Sequence, residues 1–169
     1  RNLLKDDPKY SLDGIGAYHL TLGRNKKSVE LDLKSEEGLK LFKELVSVAD
    51  VVVDNFSQGV TQRLGIDHQS LKKVNPKIIT CSISGFGDTE LNRPAYDNLI
   101  QGYAGAMSIT GTDKENPVKS GIPIADLGAG LYAVIGILSA IQSREKNDSG
   151  EHVDISMLDT QVSLLTYMA

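Results

Sequence analysis

The chain has 169 residues, 40% of them hydrophobic and 24% charged, with a formal charge of -4. This is the size and balance of about one globular domain with a real core. The acidic balance leaves no basic stripe of the kind nucleic-acid binding needs. The longest apolar run, residues 127–141, is shorter than the roughly 20 residues that cross a bilayer, so neither nucleic acid nor membrane is expected as a partner.

A single cysteine, Cys81, rules out an intramolecular disulfide framework and points to a reducing compartment. It lies in the apolar run 78–83, where a buried strand position is expected. His19, His68 and His152 stand far apart with no partner at metal-ligand spacing, so no metal site is expected. The chain starts at Arg1 and stops at Ala169 inside an apolar periodic stretch, and both ends read as cut from a longer protein.

In chain order, residues 1–18 are polar, contain glycine and lack periodicity, which predicts an irregular segment. Residues 28–33 alternate polar and apolar, the two-residue period of a half-buried strand, with a solvated turn as the alternative. Ser35 is a good N-cap, followed by Glu36 and Glu37 in the first turn. Leu39, Phe42, Leu45 and Val46 then share one face, predicting an amphipathic helix over 36–48. Val51-Val52-Val53 reads as a buried parallel strand, so strand, helix and strand form a right-handed βαβ unit. Short helical pieces are expected at 60–64 and 68–74, with Gly65 between them and Asn75-Pro76 as a breaker. A third strand follows at 77–83, closed by the glycine-rich Ser84-Gly85-Phe86-Gly87. A helix is expected over 96–107, an apolar helix over 127–143, a short strand over 152–155 and a final helix from Met157.

The chemistry centres on Gly121-Ile-Pro-Ile-Ala-Asp126-Leu-Gly128-Ala-Gly130. Asp126 sits where the unpaired N–H groups and positive dipole end of a helix favour a carboxylate. Gly128 and Gly130 remove side chains nearby, so a ligand or another backbone could approach closely. The glycine loops do not have the dinucleotide or phosphate-loop spacing, and Ser82-Ile-Ser84-Gly85 does not fit a nucleophilic-serine turn. No carboxylate pair is placed for glycoside hydrolysis. Asp126 remains either a helix cap or a shielded carboxylate nucleophile.

The residues Asn25-Lys-Lys-Ser28, Leu31-Asp-Leu-Lys34, Ala49-Asp-Val-Val-Val-Asp-Asn-Phe56, Asn75-Pro76, Ser82-Ile-Ser-Gly-Phe-Gly87, Tyr96-Asp97, Asp126 and Gly150-Glu-His-Val-Asp154 come in a specific order and spacing. Over them the chain resembles the class III CoA-transferases, which include formyl-CoA and carnitine CoA-transferases and have α-methylacyl-CoA racemases as relatives. The resemblance implies an α/β fold with a Rossmann-like, mostly parallel sheet and flanking helices. Residues 1–169 would be part of the large domain, the first strand preceding the chain and a smaller domain following it. The resemblance also implies transfer of CoA from an acyl-CoA to a small carboxylic or dicarboxylic acid. Asp126 would be the catalytic nucleophile, passing through an aspartyl anhydride and an aspartyl-CoA thioester, kept ionised by its place at the start of the helix. CoA contacts would come from Leu31, Asp32, Leu33, Lys34, Asn55, Phe56, Ser57, Arg63, Tyr96 and Asp97. Coenzyme A and its acyl thioester are substrates in this reading, with no metal, and the full-length protein would be an interlocked homodimer.

The chain departs from the family pattern in places. The racemase branch carries His where this chain has Tyr96, and a phenol with an ordinary pKa of about 10 is a poor base toward an α-carbon. Transferase is therefore favoured over a racemase-type isomerase, with a non-catalytic CoA-binding module as the other rival. Residues 88–92 differ from the Gln-Thr-Gly-Pro of many relatives. Pro94 stands where some carry a CoA-contacting Lys, a charge that Arg93 could replace. A cytoplasmic location is expected, with mitochondrion or peroxisome left open.

Overall fold

The computed structural model describes residues 4–89, 91, 93–113 and 115–168. The chain divides into two compact units, Arg1–Leu31 and Asp32–Ala169.

In the first unit, β1 (Ser11–Leu12) and β2 (Ile15–Gly16) pair antiparallel, where the sequence predicted irregular chain. Asp13 and Gly14 between them have φ of 50° and 73°. Two central residues with positive φ make the tight turn that matches strand twist, and Asp-Gly is a preferred pair there. Helix α1 (Ala17–Leu22) follows directly and buries none of its residues.

The strand expected over 28–33 does not form. Residues 26–32 have no regular structure. Alternation makes a strand only when a neighbouring strand takes up its backbone groups. Here Asp32 instead starts a tight turn, accepting the Lys34 N–H on its side chain (2.9 Å) and the Ser35 N–H on its carbonyl (3.1 Å). The parallel crossover therefore begins one strand later than the sequence suggests.

Helix α2 (Glu36–Val48) forms as expected, with Ser35 Oγ accepting from Gly38 N at 3.0 Å. Asn75 closes its far end: Nδ2 donates to the carbonyls of Val46 (3.1 Å) and Ala49 (3.0 Å). Strand β3 (Val51–Asp54) leads through α3 (Val60–Leu64) and α4 (His68–Lys72) to β4 (Ile79–Ser84). Gly59 and Gly65 bracket α3 with φ of 76° and 66°, and Asp67 caps α4 through Ser70 N. Next come α5 (Asp97–Tyr103), a 3-10 turn (Ala106–Ile109), α6 (Ile124–Asn147), β5 (His152–Ser156) and α7 (Met157–Leu165).

The three longer strands form one parallel sheet in the order β3-β4-β5, with Val51 opposite Ile79 and Thr80 opposite His152. Helices flank it, joined through two apolar clusters. Val46, Ile66, Leu71 and Ile78 centre one, with Leu39, Phe42 and Val52 against them. Phe86, Ile100, Ala125, Ala129 and Met157 centre the other, with Ile83 and Ile155.

Helix α6 is longer than the sequence suggests, because Ile124 to Asp126 and Arg144 to Asn147 join it. Its 24 residues include an 18-residue stretch of mean hydropathy 1.9, which meets the length and composition of a bilayer-crossing helix, more than the 127–141 run alone indicates. One face is nevertheless packed inside the fold through small residues: Ala125, Gly128, Ala129, Ala133 and Ala140 are buried. A Cβ at Gly136 would stand 2.6 Å from Val153 Cγ1, so the helix lies directly on β5 there. The large side chains point outward, with Leu127, Leu131, Val134, Ile135 and Leu138 each more than half exposed.

Asn75→Ala removes one donor from each of the Val46 and Ala49 carbonyls at the end of α2, and a loss of about 1–3 kcal/mol of stability is expected from denaturant unfolding. Asn75→Asp is expected to lose more, since a carboxylate would face the same two carbonyl oxygens.

Candidate active site

All three strands run the same way, so their carboxyl ends open on one side of the sheet, where ligands of open α/β folds bind. Residues 55–58 follow β3, Gly85-Phe86-Gly87 follow β4, and Met157 follows β5. With Asp126, Gly130 and residues 93–96 they line a cleft of about 490 Å³. Asn55 Nδ2 donates to Ile83 O, and Gln58 Nε2 donates to Thr89 O at 2.7 Å, tying the β3 loop to the β4 loop. Gly87, with φ of 70°, turns the glycine loop back, and its N–H donates to Ser84 Oγ at 2.9 Å.

The cleft gathers five of the residues singled out from the sequence: Asn55, Phe56, Ser57, Tyr96 and Asp126. Phe56 and Tyr96 both expose ring surface to it. Lys34 and Arg63 are exposed but line neither this cleft nor its neighbour, while Asp32 caps the turn before α2 and Leu33 packs on the α2 core cluster. Leu31 closes the N-terminal unit. Gln58 and Met157 carry no motif signal and escape a reading of the sequence; they line the cleft only because their strands end there. Arg93, which the sequence offers only as a substitute charge, is the one cation, and Asp126 the one acid, among the described lining residues. Arg93 Nη1 also donates to Tyr103 OH at 3.2 Å.

Asp126 is the third residue of α6 rather than its cap. The residue at the cap position is Pro123, which has neither a side-chain acceptor nor an N–H. The first-turn donors are satisfied elsewhere. Ile124 N donates to Ile122 O (2.8 Å), while Ala125 N (2.8 Å) and Asp126 N (3.3 Å) donate to Asp97 Oδ1. Asp97 Oδ2 accepts from Gln101 Nε2 at 2.6 Å, and Gln101 Oε1 accepts from Ser120 N at 2.7 Å. Gln101 is 1% exposed, so both ends of a buried amide are used. The N–H groups expected to hold Asp126 ionised therefore serve Asp97 instead. Burial first, and then the charge of Asp97, push the Asp126 carboxyl above the ordinary carboxylate range.

The two glycines after Asp126 differ. A Cβ at Gly128 would meet Leu164 Cδ1 and Thr160 Cγ2 at 3.0 Å, so Gly128 admits α7, not a ligand. Gly130 has open space where its Cβ would be and lines the cleft, so it does leave room beside Asp126.

A second hollow of about 420 Å³ shares Phe56, Ser57, Gln58, Ser84 and Gly87 with the cleft. Two histidines without sequence partners meet there: Thr80 Oγ1 lies 2.9 Å from His68 Nδ1 and 2.8 Å from His152 Nδ1. Among the described residues no group of three or more His, Cys, Asp or Glu is arranged to hold a metal ion. Cys81 is buried in β4, and burial with Asp54 and Asp154 raises its thiol to about 11, as suits a structural strand residue.

The family model for CoA-transferase family III matches residues 4–169. The chain belongs to CoA-transferase family III. It is 40% identical over 151 residues to a succinate–glutarate CoA-transferase of Agrobacterium fabrum, covering 88% of this chain and 38% of that one. It is 39% identical over 153 residues to an acetyl-CoA:oxalate CoA-transferase of Acetobacter aceti, covering 89% and 39%. A solved CAIB/BAIF family protein from Brucella suis superposes with a TM-score of 0.87 at 40% identity, over 92% of this chain and 42% of that one. The chain thus spans about two fifths of the length of the curated relatives it matches.

His68 is pushed below its ordinary pKa by burial, and further by His152 and Lys72. The unfolded chain then binds more protons than the folded one between the unfolded pKa and the lower folded value. Stability is therefore complete above about pH 6.5 and falls as the pH drops through that window. His68→Gln is expected to flatten this part of the stability curve, read from denaturant midpoints between pH 7 and pH 5.

Proposed function

We propose that the full-length protein moves CoA from an acyl-CoA to a dicarboxylic acid, with Asp126 as the covalent carrier. The observation that supports this is the one carboxylate among the described lining residues, made more basic by its surroundings, on the wall of a cleft at the strand ends of a family III chain. A carboxylate oxygen of Asp126 attacks the thioester carbonyl, the C–S bond breaks and CoA leaves as thiolate, giving a mixed anhydride. The thiolate attacks the aspartyl carbonyl, the anhydride C–O bond breaks and the donor acid departs, leaving an aspartyl-CoA thioester. The acceptor carboxylate then attacks that thioester and releases the thiolate, which opens the second anhydride on its acyl side. Asp126 is regenerated and the acceptor leaves as its CoA ester. Each step forms and breaks one acyl bond, without redox change.

A raised pKa suits this role because a more basic carboxylate is the better nucleophile once ionised. Gly130 leaves space for the thioester, and Asn55, Phe56, Ser57 and Tyr96 lie along the cleft for the pantetheine arm. Lys34 and Arg63, exposed outside the cleft, are assigned to the CoA phosphates. Glutarate and oxalate in the relatives' names are both dicarboxylates. Arg93 is assigned to the acceptor's far carboxylate as the cleft's one described cation. The outward apolar stripe of α6 is assigned to contacts within the longer chain and a homodimer, as the family resemblance implies.

Incubated with succinyl-CoA and trapped with hydroxylamine or borohydride, the full-length protein is expected to carry its label on Asp126 by mass spectrometry. Asp126→Ala should lose turnover by on the order of 10³-fold or more. A label on another residue, or full activity in that variant, would falsify the assignment. Arg93→Ala is expected to raise the KM for the dicarboxylate about tenfold or more while leaving that for acyl-CoA nearly unchanged. The reverse pattern would move Arg93 to the CoA side.

A further inference from the structure

Four hydrogen bonds form a network behind Asp126: Ser120 N to Gln101 Oε1, Gln101 Nε2 to Asp97 Oδ2, and the N–H groups of Ala125 and Asp126 to Asp97 Oδ1. Asp97 and Gln101 stand four residues apart on α5, so they lie over one another on one helix face. Helix α6 has no cap of its own, and Asp97 takes two donors of its first turn, one of them the amide of Asp126 itself. Both oxygens of the Asp97 carboxylate are engaged by protein donors, and Asp97 does not line the cleft.

We infer that Asp97, oriented by the buried amide of Gln101, is a positioning residue that fixes the first turn of α6 and with it the direction of Asp126. The inference rests on Asp126 being the nucleophile. Three physical effects act together. Capping by a residue from another helix fixes where α6 begins, so the Asp126 Cα cannot drift as a frayed end would. Sub-ångström placement of a nucleophile against a thioester carbonyl is worth large factors in rate. The negative charge of Asp97 also opposes that of Asp126, which raises the Asp126 pKa together with its burial. The sequence suggests instead that Asp97 touches CoA near the pantetheine end. The two roles predict different outcomes on substitution.

The test exchanges the two side chains. In Asp97→Asn an oxygen can still receive Ala125 N–H and Asp126 N–H, but the new amide N–H₂ faces the Gln101 N–H₂, donor against donor. In Gln101→Glu two carboxylates face each other. In the double variant D97N/Q101E, the amide now at position 97 donates to one oxygen of the carboxylate now at position 101. The other oxygen of that carboxylate still accepts from Ser120 N, and the amide oxygen at position 97 still caps α6. The network is rebuilt with its polarity reversed and its charge moved one step away.

The readout in the full-length protein is the single-turnover rate of adduct formation on residue 126 with succinyl-CoA, from pH 4 to pH 8. Each single variant is expected to slow this rate by about tenfold or more, with KM for acyl-CoA changed by less than about threefold, and the double variant to return within about fivefold of wild type. Because the exchange restores hydrogen bonds rather than a CoA contact, recovery supports positioning. A double variant no faster than the slower single, or an Asp97→Asn effect confined to the KM of acyl-CoA, overturns it.

A second measurement needs no turnover. Carboxyl ¹³C titration of Asp126 is expected to give a lower pKa in folded Asp97→Asn than in wild type, moving the acid limb of the rate profile to lower pH. An unchanged Asp126 pKa overturns the inference. A wild-type label away from Asp126 overturns the nucleophile reading and this inference with it. A label on Asp126 combined with failed recovery in the double variant overturns this inference alone.

Discussion

The Asp97 carboxylate joins two helices that the sequence presents as separate. Helix α6 begins at a proline that contributes no donor and no side-chain acceptor, and its first-turn amides would otherwise lack a protein acceptor. Asp97 supplies that acceptor from α5, and Gln101 fixes Asp97 in turn while anchoring Ser120. The start of α6, the direction of Asp126 and the chain leading into it all depend on this one group. Its location also explains why Asp126 has no cap bonds of its own, and its charge adds to burial in raising the Asp126 pKa.

The second constraint is how closely α6 lies on its neighbours. A face of alanine and glycine lets the helix backbone approach β5 and α7, with Gly136 over Val153 and Gly128 against Thr160 and Leu164. That closeness brings the Asp126 turn to the strand ends, where the β3 and β4 loops meet it across the cleft. The helix presents its leucines and isoleucine outward, the reverse of the usual amphipathic arrangement. The chain is about two fifths the length of the relatives it matches, and its large apolar side chains face out along this one helix.

Local signals in the sequence are dependable where one element carries its own cause. Ser35 with Glu36 and Glu37 marks the start of α2, Gly65 and Asp67 separate α3 from α4, and the apolar runs locate β3 and β4. Two local signals mislead. The alternation over 28–33 has no partner strand to complete it, and Asp13-Gly14 is a legible hairpin turn hidden by the polar residues around it. The site residues divide in the same way: those on strand-end loops come together in the cleft, whereas Asp32, Leu33, Lys34 and Arg63 do not line it.

The α/β class, the boundaries of most helices and the family are all legible in the residues alone, because capping residues, apolar periods and motif spacing act within a few residues of one another. Asp126 also stands out at that level. What surrounds that carboxylate was decided by packing. Packing assigned the α6 cap to Asp97 from 29 residues upstream, separated Gly128 as a packing contact from Gly130 as open space, and brought Arg93 and Gln58 to the cleft. It also joined His68 and His152 through Thr80. Each of these depends on a distance between segments remote in sequence, and such distances are set by how α5, α6 and the sheet pack, not by any local pattern of residues.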